Sequence, residues 1–465
     1  MDIRINASYK KRLEEGGLEK DMRIRDPIVG DIQFNKLEEY CIKTPTFQRL
    51  HRIKQLGNAF HVYPGAMHTR FEHSLGVCYQ VRRMLSHLGF YKYCPDTTPN
   101  SDDDCQVIRL AALLHDITHT PYKHTLDRDS RVIPEPSRQR EYEARIDQIS
   151  SEIKSLFGEN FPEEQKSMVL TLLKSSKGTG LDKPYYKQII EDTLSADLLD
   201  YSLRDCYYTG LQRKWDSRIY DHIAVANYNK KPHIVANIIG EDGKTAQSAI
   251  TEIINLIDIR YTLNERVYFY APKIAADSLL VKSARQLFTT TNFTHGKFIK
   301  LNRDISDEEL INFLIKKPKY DKVNYAQLLR DRRLPRLALE LDGEKITYDE
   351  QCNIAKNCSG YNCYEKWSNV ENDIAKEAGV PADDVIIYCH DLEMQAKKKP
   401  EFLILSDENR EPCPIEGYTQ LKSEINHIAD KHEHLWRCYV FSIDTDKTAR
   451  DRIEIAAKDV LKSLN

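Results

Sequence analysis

The chain has no C-x-x-C pair, although it carries eleven cysteines scattered from Cys41 to Cys438 along 465 residues. An odd, dispersed set argues against a disulfide framework or a paired-cysteine zinc module. Reduced thiols fit best, and a cytoplasmic location is expected. Long apolar runs are also missing. No stretch approaches the roughly 20 apolar residues that span a bilayer, and the opening "MDIRINASYKKRLEEGGLEK" has no apolar core of signal-peptide length. Neither export nor a membrane partner is expected. The formal net charge is only −3, so there is no whole-molecule pull toward phosphate backbones. Nucleic acid is therefore not favoured as a partner, and any anion must be held by a local cluster of cations or metal. No fixed-period repeat is visible.

What is present is an ordinary globular composition, with 41% hydrophobic residues, enough for a sizeable core and for two or three domains on length. From about Asp26 to about Gln286, apolar residues recur at helical spacing, broken by Pro, Gly, Asn and Asp. From about Thr291 onward, "VIIYC" (385–389), "FLILS" (402–406) and "RCYVFSID" (437–444) read as strands among charged helical segments. The expected fold is mainly α: an N-terminal extension over 1–25, a helical core over 26–290 and a smaller α+β lobe over 291–465. Two polar stretches, "RDSRVIPEPSRQREYEARIDQ" from Arg128 and "KNCSGYNCYEKWSNVEN" from Lys356, show no clear apolar face and read as loops. The run Lys397 to Lys399 reads as a solvated turn. A zinc site from Cys352, Cys358 and Cys363, or from His432, His434 and Cys438, is disfavoured by irregular spacing.

Histidines and aspartates crowd into segments that otherwise read as helix. His73 opens an amphipathic helix with Val77, Val81, Met84 and Leu88 on its apolar face. His115 and Asp116 close the apolar helix that starts near Val107, where adjacent residues, about 100° apart, can both reach one ion at a helix end. A third helix, read over Tyr185 to Tyr208, carries Asp197, Tyr201 and Asp205 at intervals of four, which aligns them on one face. Two imidazoles and two carboxylates suit a divalent ion, Mn, Fe, Zn or Mg, with positions left open for phosphate oxygens or water. Taken singly, each residue fits a hydrogen-bonded buried histidine or a helix cap better than a ligand; it is the set together that points to an ion.

The set His73, His115-Asp116 and Asp197 fits the H…HD…D pattern of the HD-domain phosphohydrolases. "RDPIVGDIQF", "TPTFQRLHRIKQLG", "YPGAMHTRFEHSLGV", "HDITHTPYKHTLD" and "DLLDYSLRDCYYTGL" together resemble the deoxynucleoside triphosphate triphosphohydrolase family. The likeness is greatest to its animal branch that joins a sterile-alpha-motif domain to the HD domain, without a counterpart of that extra domain. The resemblance implies metal ligation by His73, His115, Asp116 and Asp197, and catalytic roles for His119, His124 and Asp127. It implies deoxyribose contacts from Gln55, Leu56, Asp205 and Tyr268, and phosphate contacts from Arg70, Tyr201 and Arg260. Taken alone, Gln55 also fits a surface glutamine, Arg260 a helix's polar edge and Tyr268 a core aromatic. Cleavage of a deoxynucleoside triphosphate to deoxynucleoside and triphosphate, by a homodimer or homotetramer, follows from the same resemblance.

Three departures stand out. Where the family carries a His-Glu pair after the HD helix, this chain has Arg140-Glu141. Leu198 stands where a phosphate-contacting lysine is found. Lys43 and His51 replace an acid and an arginine at the guanine-nucleotide activator site, and a lysine cannot accept from guanine. An activating nucleotide other than the guanine type is therefore expected, if any. These departures keep open an HD-type phosphodiesterase, nucleotidase or single-strand nuclease, or a catalytically weakened nucleotide sensor.

Overall fold

The computed structural model describes residues 22–90, 102–134, 138–240, 242–317, 323–360, 363–390, 400–406, 411–418, 426–428, 430–431 and 435–464. Most of the proposed extension over 1–25, the lysine run and the candidate ligands His432 and His434 lie outside the described residues. The fold is mainly α, with small sheets. Helices Arg70–His87, Asp102–Leu114, Glu163–Lys174, Ala196–Thr209 and Gln247–Leu263 surround one apolar core. A second core forms around helix Ala271–Thr290, which gathers Tyr122, Leu126 and the elements of the carboxy-terminal lobe.

That lobe holds an antiparallel three-stranded sheet of Arg336–Asp342, Arg437–Ser442 and Val385–Cys389, with the Arg437–Ser442 strand central. The strand expected at 402–406 forms as Leu403–Leu405, but joins the other sheet, parallel to Lys231–Asn237. Its neighbour there is a hairpin, Ile223–Tyr228 with Lys231–Asn237, inside the region read as helical. Asn229 and Lys230 both hold positive φ, 51° and 65°, the backbone that a two-residue hairpin turn requires.

Two stretches read as loops are largely helical. Arg138–Phe157 is a helix because Tyr142, Ile146, Ile149 and Ile153 form a buried stripe at three- and four-residue spacing. Ile149 and Ile153 lie beyond Gln148, where the polar stretch ends, so only half of the stripe falls inside it. Helix Tyr364–Ala378 buries Trp367, Val370, Ile374 and Ala378 in the same way. The helix read over Tyr185 to Tyr208 is broken instead. A short turn, Tyr185–Gln188, is followed by Ala196–Thr209, whose N-cap Ser195 accepts from the Leu198 amide. Among the described residues no helix is long and apolar enough to cross a membrane.

Candidate metal centre and active site

The break at Ser195 places Asp197 in the first turn of its helix. There its carboxylate meets His73, in the first turn of Arg70–His87, and the His115-Asp116 pair just beyond Leu114. Candidate ligand atoms of His73, His115 and Asp116 lie within 4.8 Å of one another. Asp197 Oδ1 is 3.0 Å from His73 Nε2 and 3.9 Å from His115 Nε2. Four side chains from three helices thus converge.

Both imidazoles are held with Nε2 facing the cluster. His73 Nδ1 donates to Asp200 Oδ2 (2.8 Å), and His115 Nδ1 to the Ala112 carbonyl (2.7 Å). Each partner fixes the tautomer that leaves Nε2 free to ligate. Asp200 is itself gripped by Arg204, through Nε at 2.8 Å and Nη2 at 2.9 Å, and Arg204 Nη1 reaches Asp26 at 2.8 Å. Gly76 permits this chain of charges, because a Cβ there would overlap the Asp200 carboxylate.

His115 Nε2 is buried without a hydrogen-bond partner. An orphaned lone pair beside two carboxylates is costly unless a cation completes it. His73 carries the same signal. Burial opposes its protonation, yet hydrogen bonds to Asp197 and Asp200 raise its pKa to about 10, so the cluster favours positive charge at its centre. The donor set of two nitrogens and two carboxylates fits a divalent ion.

A cavity of about 510 Å³ opens on this cluster. His115, Asp116, Asp197, His119 and His124 line its floor, and Gln55, Leu56, Arg70, Tyr201, Asp205, Arg260 and Tyr268 line its walls. The interval-of-four face of Asp197, Tyr201 and Asp205 therefore faces a single space. His73 lies buried behind the floor, and Asp127, also buried, is not among the lining residues.

The polar walls are ordered. Arg70 Nη1 donates to Asp116 Oδ2 (2.8 Å), and His119 Nε2 lies 3.2 Å from Asp116 Oδ1. Burial alone would raise the Asp116 pKa, but His119, His115 and Arg70 hold it well below the usual carboxylate range. Burial, then Arg70, lowers His119 to about 3; burial, then Arg128, keeps His124 well below its ordinary value. Both rings are therefore neutral at pH 7. Burial pushes the Tyr201 and Tyr268 phenols up, which keeps them as donors. Tyr268 donates to Asp205 Oδ2 (2.5 Å), and His68 Nε2 to Asp205 Oδ1 (2.8 Å). Gln55 Oε1 is buried without a partner, next to Leu56.

At the departures, Arg140 is exposed and Leu198 is buried away from the cavity. Glu141 lines the cavity and is bound by Arg303 Nη2 at 3.0 Å. Lys43 pairs with Glu39, and the His51 ring stacks on Phe71. The sequence reading missed Asp200, which sits one turn beyond Asp197 and whose signal was the need of a buried His73 for an anion. It also missed Tyr142, whose hydroxyl donates to the His115 carbonyl, and the cavity cations Lys123 and Arg128.

Residues 70–205 match the family model described as HD domain. The chain is 28% identical over 335 residues to the deoxynucleoside triphosphate triphosphohydrolase SAMHD1 of Homo sapiens, covering 65% of this chain and 50% of that one. It is 33% identical over 192 residues to an uncharacterized protein of Mycoplasma pneumoniae, covering 40% of this chain and 43% of that one. The matched segments thus span half or less of these relatives' lengths. The crystal structure of a phosphohydrolase from Bacteroides thetaiotaomicron superposes with a TM-score of 0.64 at 19% identity, covering 91% of this chain and 100% of that one. That similarity establishes a shared fold.

Proposed function

Taking as premise the HD domain that this chain carries over residues 70–205, we propose that it is a metal-dependent phosphohydrolase that cleaves deoxynucleoside triphosphates to deoxynucleoside and triphosphate. The observation that carries the reading is the orphaned His115 Nε2, set among carboxylates at the floor of a cavity of nucleotide size. Assembly as a homo-oligomer and control by a non-guanine nucleotide belong to the same proposal.

His73, His115, Asp116 and Asp197 would hold the ion, which when bound lowers the pKa of a water and draws charge from the phosphate. The remaining work falls to this chain's own groups. Arg70 fixes Asp116 in place and, with Arg260 and the Tyr201 hydroxyl, offers donors to phosphate oxygens. His119 and His124, neutral in the free protein, hold one N–H each. An incoming anionic phosphate chain raises their pKa and turns them into proton donors for the departing oxygen. Asp127, buried off the cavity, would act through the turn that carries His124. Gln55, Asp205 and Tyr268 supply hydrogen bonds for a sugar hydroxyl, while Leu56 opposes a 2′-hydroxyl that would meet apolar atoms with no partner.

The buried Leu198 and exposed Arg140 favour a second reading, an HD-type phosphodiesterase or nucleotidase that needs fewer phosphate contacts. Chromatography of products separates the two. The purified chain is incubated with each deoxynucleoside triphosphate, each ribonucleotide and a short single strand, with Mn²⁺ or Mg²⁺. Deoxynucleoside plus triphosphate supports the first reading, whereas monophosphate or a shortened strand overturns it in favour of the second. Asp116→Ala abolishes a genuine signal in either case.

A further inference from the structure

Leu198 leaves the proposed phosphate clamp short of a cation, yet the cavity holds cations whose charge nothing else in the described residues takes up. Lys54 is engaged by Asp307 and Glu308, Lys273 by Asp277, and Arg303 by Glu141. Lys123 and Arg128 line the same cavity and form no ion pair among the described residues. Arg128 Nη1 lies 3.5 Å from His124 Nδ1.

Their placement follows from the backbone. Five residues apart on an α-helix, two side chains diverge by about 140°. Here residues His124–Asp129 form a π-helical turn, closed by the Ser130 amide on the Thr125 carbonyl (3.4 Å). The wider turn brings positions 123 and 128 toward one side, and such turns recur at functional sites. The turn is entered through Tyr122, a non-glycine residue at φ 50°, a conformation that persists only where the surroundings enforce it. Tyr122 is buried in the second core, and its ring lies where a Cβ on Gly57 would touch it at 3.3 Å. The turn that presents the two cations thus packs, through Tyr122, against Gly57, the residue that follows the Gln55-Leu56 wall.

We propose that Lys123 and Arg128 form a second anion-binding patch that takes the outer phosphates of a polyphosphate chain, in compensation for Leu198. The identity of the whole substrate rests on the function proposed above, but the patch itself requires only a linear polyphosphate. Asp129 also lines the cavity and Asp127 is buried in the same turn, so two carboxylates accompany the two cations and both cations are needed to hold the anion. The patch favours triphosphates over monophosphates, since a single phosphate at the metal would not reach it.

Binding of inorganic tripolyphosphate, measured by calorimetry at one fixed Mn²⁺ concentration, tests the patch without any turnover. Lys123→Gln and Arg128→Gln each weaken binding about tenfold, as loss of a charge-assisted hydrogen bond implies, and the pair weakens it further. Lys123→Arg and Arg128→Lys retain most of the affinity, an outcome that a merely structural role would not give, while orthophosphate binding is unchanged in all variants. Wild-type affinity in the Gln variants, or no tripolyphosphate binding by the native chain, overturns the patch. Hydrolysis is scored separately. Deoxynucleoside release with unaltered tripolyphosphate binding in the variants removes the patch and leaves the proposed function, and the reverse result removes the function and leaves the patch.

Discussion

The most informative single change is Asp200→Asn, because it alters one charge and almost no volume at a site closed to water. Asp200, Arg204 and His73 are at most 1% exposed. The carboxylate accepts from His73 Nδ1 and from Arg204 Nε and Nη2, all at 2.8 to 2.9 Å. Against burial, which would raise it, Arg204 and the His73 hydrogen bond pull the Asp200 pKa down to about 2, so the native group is anionic at any working pH. An amide has only one acceptor oxygen. If that oxygen stays with Arg204, its NH₂ faces His73 Nδ1, and the ring must give up its Nδ1 proton and carry one on Nε2, where the ion would bind.

Two effects of different size follow. Arg204 keeps Asp26 as its remaining buried anion, so the stability loss falls below the about 3–5 kcal/mol of a fully orphaned buried charge. Metal affinity falls about 10- to 100-fold, the usual cost of losing a carboxylate behind a ligating histidine, or about 1.4–2.8 kcal/mol. Calorimetric titration with Mn²⁺, beside thermal melts with and without the ion, reads both. A variant that melts lower but binds Mn²⁺ within about twofold of wild type would refute the assignment of His73 as a ligand oriented by Asp200.

Gly76→Ala drives a methyl into the same carboxylate; overpacking of this kind costs about 1–3 kcal/mol, and the melting temperature and Mn²⁺ affinity should fall together. Asp307, whose carboxyl accepts the Lys54 amide at 2.9 Å, is pushed by burial up to about 6. Because its folded pKa exceeds the unfolded value, its contribution to stability is full below about 4 and is lost as pH rises through about 6, by at most about 3 kcal/mol. Asp307→Asn should therefore gain on wild type between pH 5 and pH 7.5, and equal differences in denaturation midpoint at both pH values would contradict this. Leu56→Ala opens space at the proposed sugar wall, and the preference for deoxyribo- over ribonucleotides in kcat/KM should drop about tenfold or more; unchanged discrimination would remove Leu56 from that role.

What was legible in the sequence is whatever a local pattern can encode. Helix starts and ends place His73 and the His115-Asp116 pair, and the interval-of-four face of Asp197, Tyr201 and Asp205 stays correct although its helix begins eleven residues later than the pattern suggested. The strand Val385–Cys389 is found at its bounds because five consecutive buried residues leave no helical alternative that short. Periodicity cannot say which partner an element meets. Leu403–Leu405 is as good a strand for one sheet as for the other, and helix Ala271–Thr290, apolar on several sides, gives no local sign that it serves the second core. Windows chosen by polarity also cut through Arg138–Phe157 before its stripe repeated.

The least legible part matters most for the chemistry. Asp200 and Arg204 look like ordinary helix-surface charges until the fold seals them against Gly76, and Lys123 and Arg128 look like two solvated cations until a π-helical turn brings them to one cavity. The ligands of a metal are constrained by chemistry to a few residue types, so a motif can reveal them. The groups that orient those ligands and neutralise a phosphate chain need only the right charge in the right place, and many backbones can deliver it. On the proposed function, the cation that the family pattern would place at Leu198 is supplied by a different element, and a local sequence pattern has no way to mark it.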